Sequence, residues 1–322
     1  MSSTSLIRSL AWAAGLALIS SVLFLTLGAQ GDWAFALSLR LPRLALLVLV
    51  GMSVGLATLL FQSLTRSPIL TPSLLGFDAL YLLIQTGLVF VLGKTAFSQI
   101  PDVARFVLVC VVMLGASFAL FGALRRLGGH DLTRMILIGV IFAVFFRSLD
   151  QFLERLLDPT LFAVVQNRRF ANFNDVNLTL MGLGSVVLLG ALLWVSRVHR
   201  TLDVLLLGPE RAQSLGIDVA RVTRSILVVM ALLVSVSTAL VGPISFLGLL
   251  VCALTYRLMP SFRHAWRVPM VVLIAIVTLV LGQTLFERVL SMHASLSVVI
   301  EFVGGLLFCL LLIRARGTVS VA

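Results

Sequence analysis

Four ionisable side chains lie in, or at the edge of, apolar stretches: Asp78, Arg147, Asp150 and Glu301. A charge in hydrocarbon is costly, so such groups face a bundle interior or a water-filled cavity, where they pair, relay protons or line a substrate path. Arg147 and Asp150 are three residues apart and would share a helix face, which predicts that they pair with each other. Asp78 and Glu301 have no such neighbour and are candidates for a translocation path. A second pattern is LDVLLLGPERAQSLGIDVARV, Leu202 to Val222. After Gly208, Pro209 suits a first helical position, Glu210 favours the positive helix end, and Gly216 can end the helix in the left-handed conformation. A short capped helix carrying Ala212 is therefore expected in a polar loop. A third feature is Gly242-Pro243, inside the uncharged run Ser225 to Tyr256. The pair frees backbone groups, which a membrane tolerates only where protein or a water-filled cavity surrounds them.

Other chemistries find no residues to carry them. The one stretch near a phosphate-binding loop, GLVFVLGKT from Gly87 to Thr95, has five residues between its glycines where the motif needs four, and they are apolar. No ATPase site is expected in this chain. Cys110, Cys252 and Cys309 have no paired spacing, and His130, His199, His264 and His293 are scattered, so neither a metal set nor a cofactor site is expected. No nucleophile with a base can be assembled either, which counts against a membrane enzyme.

These residues must be positioned by membrane helices. The chain is 60% hydrophobic and 11% charged, too little polar surface to cover a soluble protein of 322 residues. Its formal charge of +11 would suggest nucleic acid in a soluble chain, but the basic residues sit in short segments between apolar runs and read as topology signals. The uncharged runs are Ser9–Gly31, Leu44–Thr65, Ala79–Gly93, Phe106–Leu124, Met135–Phe146, Leu178–Ser196, Ser225–Tyr256, Val268–Phe286 and Phe302–Ile313. The seventh is too long for one span and is divided at Gly242-Pro243 by a short extracytoplasmic turn. An all-α polytopic protein of about ten spans follows, residues 1–322 forming one membrane domain with a cytoplasmic loop at about 197–224. With the N-terminus inside, fifteen of the 24 basic residues fall on the cytoplasmic side, so both termini are expected there. Arg8 before an apolar run also fits a cleaved leader, but the run is long for one and no A-x-A site follows it, so a retained first helix is expected.

From Arg40 to about Arg314 the chain resembles the permeases of ABC importers for iron chelates and cobalamin, the FecCD type. Arg40, Leu41, Pro42, Arg43, Gly51, Gln62, Arg66, Pro68, Leu70, Pro72, Leu75 and Gly76 follow that family's order RLPR, G, Q, RNPLA-P, LG. Glu210, Ala212 and Gly216 match its E-A-A-x-x-x-G loop, with Arg211 in place of the middle alanine. Gly242, Pro243, Ile244, Phe246, Gly248 and Leu249 match its G-P-I-x-F-x-G-L signature. Three departures stand out: Ser67 replaces the asparagine of R-N-P, the last span reads Gly304-Gly305-Leu306 rather than Gly-Ala-Pro, and Gly76-Phe77-Asp78-Ala79-Leu80-Tyr81 looks like the branch serving catecholate siderophores.

The resemblance implies a BtuC-like permease fold in a bacterial cytoplasmic membrane, its spans two to five and seven to ten related as an inverted repeat. It implies a ferric siderophore as cargo, with cobalamin or haem as alternatives, and ATP used by a partner subunit. The implied partners are an ABC ATPase, a second and non-identical permease, and an extracytoplasmic siderophore-binding protein; nucleic acid is not among them. By the same resemblance Gly208, Glu210, Ala212 and Gly216 serve ATPase coupling. Arg40 and Arg43, with Arg288 as a further candidate, receive glutamates of the binding protein. Membrane anchoring remains the other reading of Arg40 and Arg43. Gln62, Asp78, Gly242, Pro243 and Glu301 are assigned to the path. The rival from another class is an ion-coupled secondary transporter titrating at Asp78 or Glu301, which has no need of the Glu210–Gly216 loop.

Overall fold

The computed structural model describes residues 3–27, 33–126, 132–166, 169–289 and 296–318. Its helices are α1 (Ser3–Thr26), α2 (Trp33–Thr65), α3 (Phe77–Gln99), α4 (Asp102–Arg126), α5 (Leu132–Arg155), α6 (Pro159–Gln166), α7 (Leu178–Leu205), α8 (Pro209–Ser214), α9 (Val219–Val241), α10 (Leu247–Leu258), α11 (His264–Thr284) and α12 (Leu296–Thr318). No strand occurs among the described residues. Among the described residues seven helices are long and apolar enough to cross a membrane, and α3, α10 and α12 supply shorter apolar stretches. Each expected span coincides with one of these ten, and the short capped helix appears as α8.

The core is built around α2, which packs against both α9 and α11. Lipid offers no hydrophobic drive between helices, so close packing at small residues has to hold them. Gly51 and Gly55 of α2 serve this: an added Cβ at Gly51 would meet Ala275 O at 3.2 Å, and one at Gly55 would meet Val271 Cγ1 at 3.0 Å. The periphery is apolar in the opposite sense, with Trp12, Phe145, Val186 and Leu193 turned outward. Such a surface suits acyl chains rather than water.

One boundary differs from the expectation. α2 begins at Trp33 and runs through Pro42, well before the uncharged run starts at Leu44. Counting from the last charge hides these turns because Arg40 is not at the surface: it is 8% exposed, and its Nη1 donates to Leu25 O (2.7 Å) and Leu27 O (2.9 Å). Those carbonyls belong to the negative end of α1, so they stabilise a buried guanidinium and tie α2 to α1.

Candidate functional site

Two interruptions of the helical backbone define the site. The first follows α2, where Arg66 takes a left-handed conformation (φ 53°) and Pro68 and Pro72 prevent the helix from continuing. A single 3₁₀ turn, Pro72–Leu75, and Gly76 (φ 88°) then lead into α3. The second follows α9, where Gly242 (φ 104°), Pro243, Ile244 and Ser245 are non-helical before α10. α10 has 12 residues, which rise only ~18 Å at ~1.5 Å per residue, short of a ~30 Å hydrocarbon core. This interruption therefore penetrates the bundle. Its Gly242, Pro243 and Ile244 are buried, so the turn that divides the long uncharged run lies packed against protein.

The two interruptions touch. Ser73 Oγ of the first donates to Ser245 O of the second at 3.3 Å, and Ser245 Oγ donates to Asp78 Oδ2 at 2.8 Å. Each is backed by a glycine on a neighbouring helix. A Cβ on Gly139 of α5 would lie 2.5 Å from Leu75 Cδ2, and one on Gly304 of α12 would collide with Phe246 Cβ. The resulting arrangement, break against break with α5 behind one and α12 behind the other, repeats itself across α2–α5 and α9–α12. Interrupted helices at matching places in two halves mark the substrate region of inverted-repeat transporters.

Around this junction lies a small cavity of about 20 Å³, lined among others by Thr58, Pro72, Ser73, Asp78, Gly242 and Ser245. It is room for about one water. Glu301 on α12 is half-buried and within electrostatic reach of Asp78, as is the exposed Arg147 of α5. The structure thus brings Asp78 and Gly242 to one cavity from distant parts of the sequence, with Glu301 within electrostatic reach. The cation at Asp150 is Arg169 rather than Arg147, which corrects the expected Arg147–Asp150 pair. Asp150 instead accepts from Thr86 Oγ1 (2.5 Å) and Arg169 Nη2 (3.1 Å), and Arg169 also bonds Glu154. Arg169 belongs to the loop after α6, which is fastened over the second interruption by Asn172 N to Val241 O (2.8 Å) and Ala171 N to Ser297 Oγ (3.2 Å).

Gln62 stands apart from the cavity. Its Nε2 donates to Pro68 O (2.9 Å) and its Oε1 accepts from Tyr256 OH (2.7 Å), so its amide pins the start of the first interruption to α10. A side chain bonded at both ends acts as a fastener of the first interruption, a role the assignment to the path did not include. Sequence reasoning passed over Ser245 and Arg169; the serine beside Gly242-Pro243 was the available signal for the first.

At the far end of α7, Gly208 (φ 107°) turns the chain into α8. Ala212 is fully buried beneath it, Glu210 and Arg211 are exposed, and Gly216 (φ 83°) ends the element. Arg66 reaches this turn: a Cβ on Gly208 would meet its Nη1 at 3.2 Å. The four loop residues thus form one small platform, anchored by Ala212 and presenting charge outward. Arg43 is half-buried on α2, one turn from the bonded Arg40. The Arg288 side chain lies outside the described residues. The GLVFVLGKT stretch is part of α3, kinked at Gly93, and so does not form a phosphate loop. No group of three or more metal-ligating side chains occurs among the described residues.

Comparison with known proteins places this geometry. The chain is 40% identical over 300 residues to the petrobactin import system permease protein YclO of Bacillus subtilis (strain 168), covering 93% of this chain and 95% of that one. It is 31% identical over 277 residues to the petrobactin import system permease protein FatC of Bacillus anthracis, covering 86% and 78%. A solved metal-chelate type ABC transporter in an inward-facing conformation superposes with a TM-score of 0.84 at 20% identity, covering 96% of this chain and 99% of that one. This likeness establishes the same fold. The model of the FecCD transport family matches residues 3–314. With its interrupted helices, its capped loop and a family match over nearly its whole length, the chain belongs to the FecCD transport family.

Proposed function

We propose that this chain is the membrane-spanning permease subunit of an ABC importer that carries a ferric siderophore across the bacterial cytoplasmic membrane. The observation that carries the reading is the meeting of two interrupted helices at Ser73, Asp78 and Ser245, in a chain whose 40%-identical relative is named for petrobactin import. Irregular backbone in a bilayer is tolerated beside a path, and a polar lining there suits a hydrated chelate better than lipid. Both termini face the cytoplasm in this reading. The α8 platform fits an ATPase subunit that supplies the energy, with Glu210 and Arg211 as its exposed contacts. The loop after α6 and Arg43 fit an extracytoplasmic binding protein. For Arg40 the docking assignment is weakened, because its guanidinium already serves the α1 carbonyls. A second permease, a non-identical homologue, completes the path, and the siderophore passes chemically unchanged.

Growth of a deletion strain on single iron sources tests the cargo. Loss of growth on ferric petrobactin or a ferric catecholate, restored by the wild-type gene, is expected. Unimpaired growth on every ferric siderophore with loss on haem or cobalamin would move the assignment to those ligands.

A further inference from the structure

Three side chains from distant helices form a Ser–His–Asp line at the end of the bundle that carries α8. Asp203, in the last turn of α7, accepts at Oδ1 from His264 Nδ1 (2.6 Å) and from the backbone N–H of His264 (2.7 Å). His264 is the first residue of α11, so one carboxylate holds that helix end by both side chain and backbone, at its positive pole. The other ring nitrogen, Nε2, is 2.7 Å from Ser63 Oγ in the last turn of α2. The packing is not that of a hydrolase: Ser63 is 2% exposed and His264 0%, and Ser63 Oγ lies 2.7 Å from Leu59 O as well as from Nε2, so its single proton goes to one or the other within the protein.

The line continues in both directions. Toward the loop, Asp203 is followed within one turn by Leu205 and then by Gly208 and α8, so a force on the platform reaches α7's last turn directly. Toward the path, Ser63 adjoins Gln62, whose amide bonds Pro68 O at the first interruption and Tyr256 OH at the end of α10. Arg267, one turn into α11, stacks on the Tyr256 ring at 4.7 Å. Hydrogen bonds are directional and hold one register.

We propose that Asp203, His264 and Ser63 are positioning residues that transmit the movement of α8 to α11, α2 and the first helix interruption. This rests on the reading of the chain as an ATP-driven permease. Energetic coupling of this kind has a physical carrier when a contiguous network links both sites. Without the His264 bridge the α8 platform still binds its ATPase, but α11 and α2 no longer follow it.

The test uses the whole importer in proteoliposomes, with radioiron-labelled ferric petrobactin as probe and ATP hydrolysed per iron delivered as readout. A variant that is merely less stable lowers hydrolysis and uptake together and leaves this ratio unchanged. His264→Leu and Asp203→Ala, which removes the acceptor of both bonds, should each raise it by roughly 5- to 150-fold, the span of typical coupling energies. His264→Gln, which can still reach Ser63, should bring the ratio part of the way back. If His264→Leu is not recovered from the membrane, Asp203→Ala carries the test, because Asp203 is 29% exposed. A wild-type ratio in Asp203→Ala overturns the relay. Absence of ATP-dependent uptake in the wild-type importer, with haem and cobalamin offered in turn beside the ferric siderophore, is a different result: it refutes the permease reading, and the relay falls with it.

Discussion

Gly76→Ala should unfold the junction from within, by an amount that follows from two local terms. Gly76 has φ 88°, and a left-handed backbone costs a side-chain-bearing residue about 1–2 kcal/mol. The new Cβ would also lie 2.8 Å from Ala143 Cα and 3.0 Å from Ala143 N, backbone atoms that cannot rotate away. Overpacking of this kind costs about 1–3 kcal/mol. The sum is about 2–5 kcal/mol, a drop in the folded-to-unfolded ratio of roughly thirty-fold to several thousand-fold. Gly305→Ala is the control: nothing lies within 4 Å of its Cβ, and alanine inside a helix gains about 0.5–1 kcal/mol over glycine. Denaturation in mixed micelles, followed by tryptophan fluorescence, compares the two with wild type. Gly76→Ala stability within about 0.5 kcal/mol of wild type, below the smallest of these terms, would refute the description of α3's start as a left-handed turn wedged against α5.

The remaining predictions concern the two faces. Gly216→Trp, at φ 83° beside the α8 platform, should leave the protein in the membrane but lose the ATPase on purification; full uptake in this variant would count for the ion-coupled rival. Arg40→Glu should weaken the tie between α1 and α2 by about 1.5–3 kcal/mol, because a charge-assisted pair of bonds to Leu25 O and Leu27 O is lost, read as a lowered melting temperature. Arg43→Glu should leave that temperature unchanged and slow association of the loaded binding protein at low salt, since rim charges govern encounter rate. Reporter fusions after Arg126 and Arg200 should behave as cytoplasmic and those after Lys94 and Arg169 as extracytoplasmic; reversal at two of the four would break the ten-span arrangement.

How much of this was legible in the sequence depended on whether a feature is local. Uncharged runs gave the spans because bilayer thickness acts on each helix alone. Two prolines and a Gly-Pro pair gave the interruptions, and Pro209 to Gly216 gave α8, since these residues restrict their own backbone. Pairings across the bundle were hidden. Asp150 was expected to pair with Arg147 on its own helix, yet its cation is Arg169, brought back by the loop after α6. His264 looked like a scattered histidine because Ser63 is 201 residues away in sequence. Arg40 looked like an exposed flank because nothing in its own segment announces the α1 carbonyls. That Gln62 fastens the first interruption was equally out of reach, because Tyr256 comes from α10.

The most direct test of the central claim is uptake of radioiron-labelled ferric petrobactin into proteoliposomes that contain the permease with its ATPase, its second permease and its binding protein. The account predicts accumulation that requires ATP and the binding protein and is indifferent to proton and sodium ionophores. Accumulation by the permease alone, driven by an ion gradient and abolished by those ionophores, would contradict it.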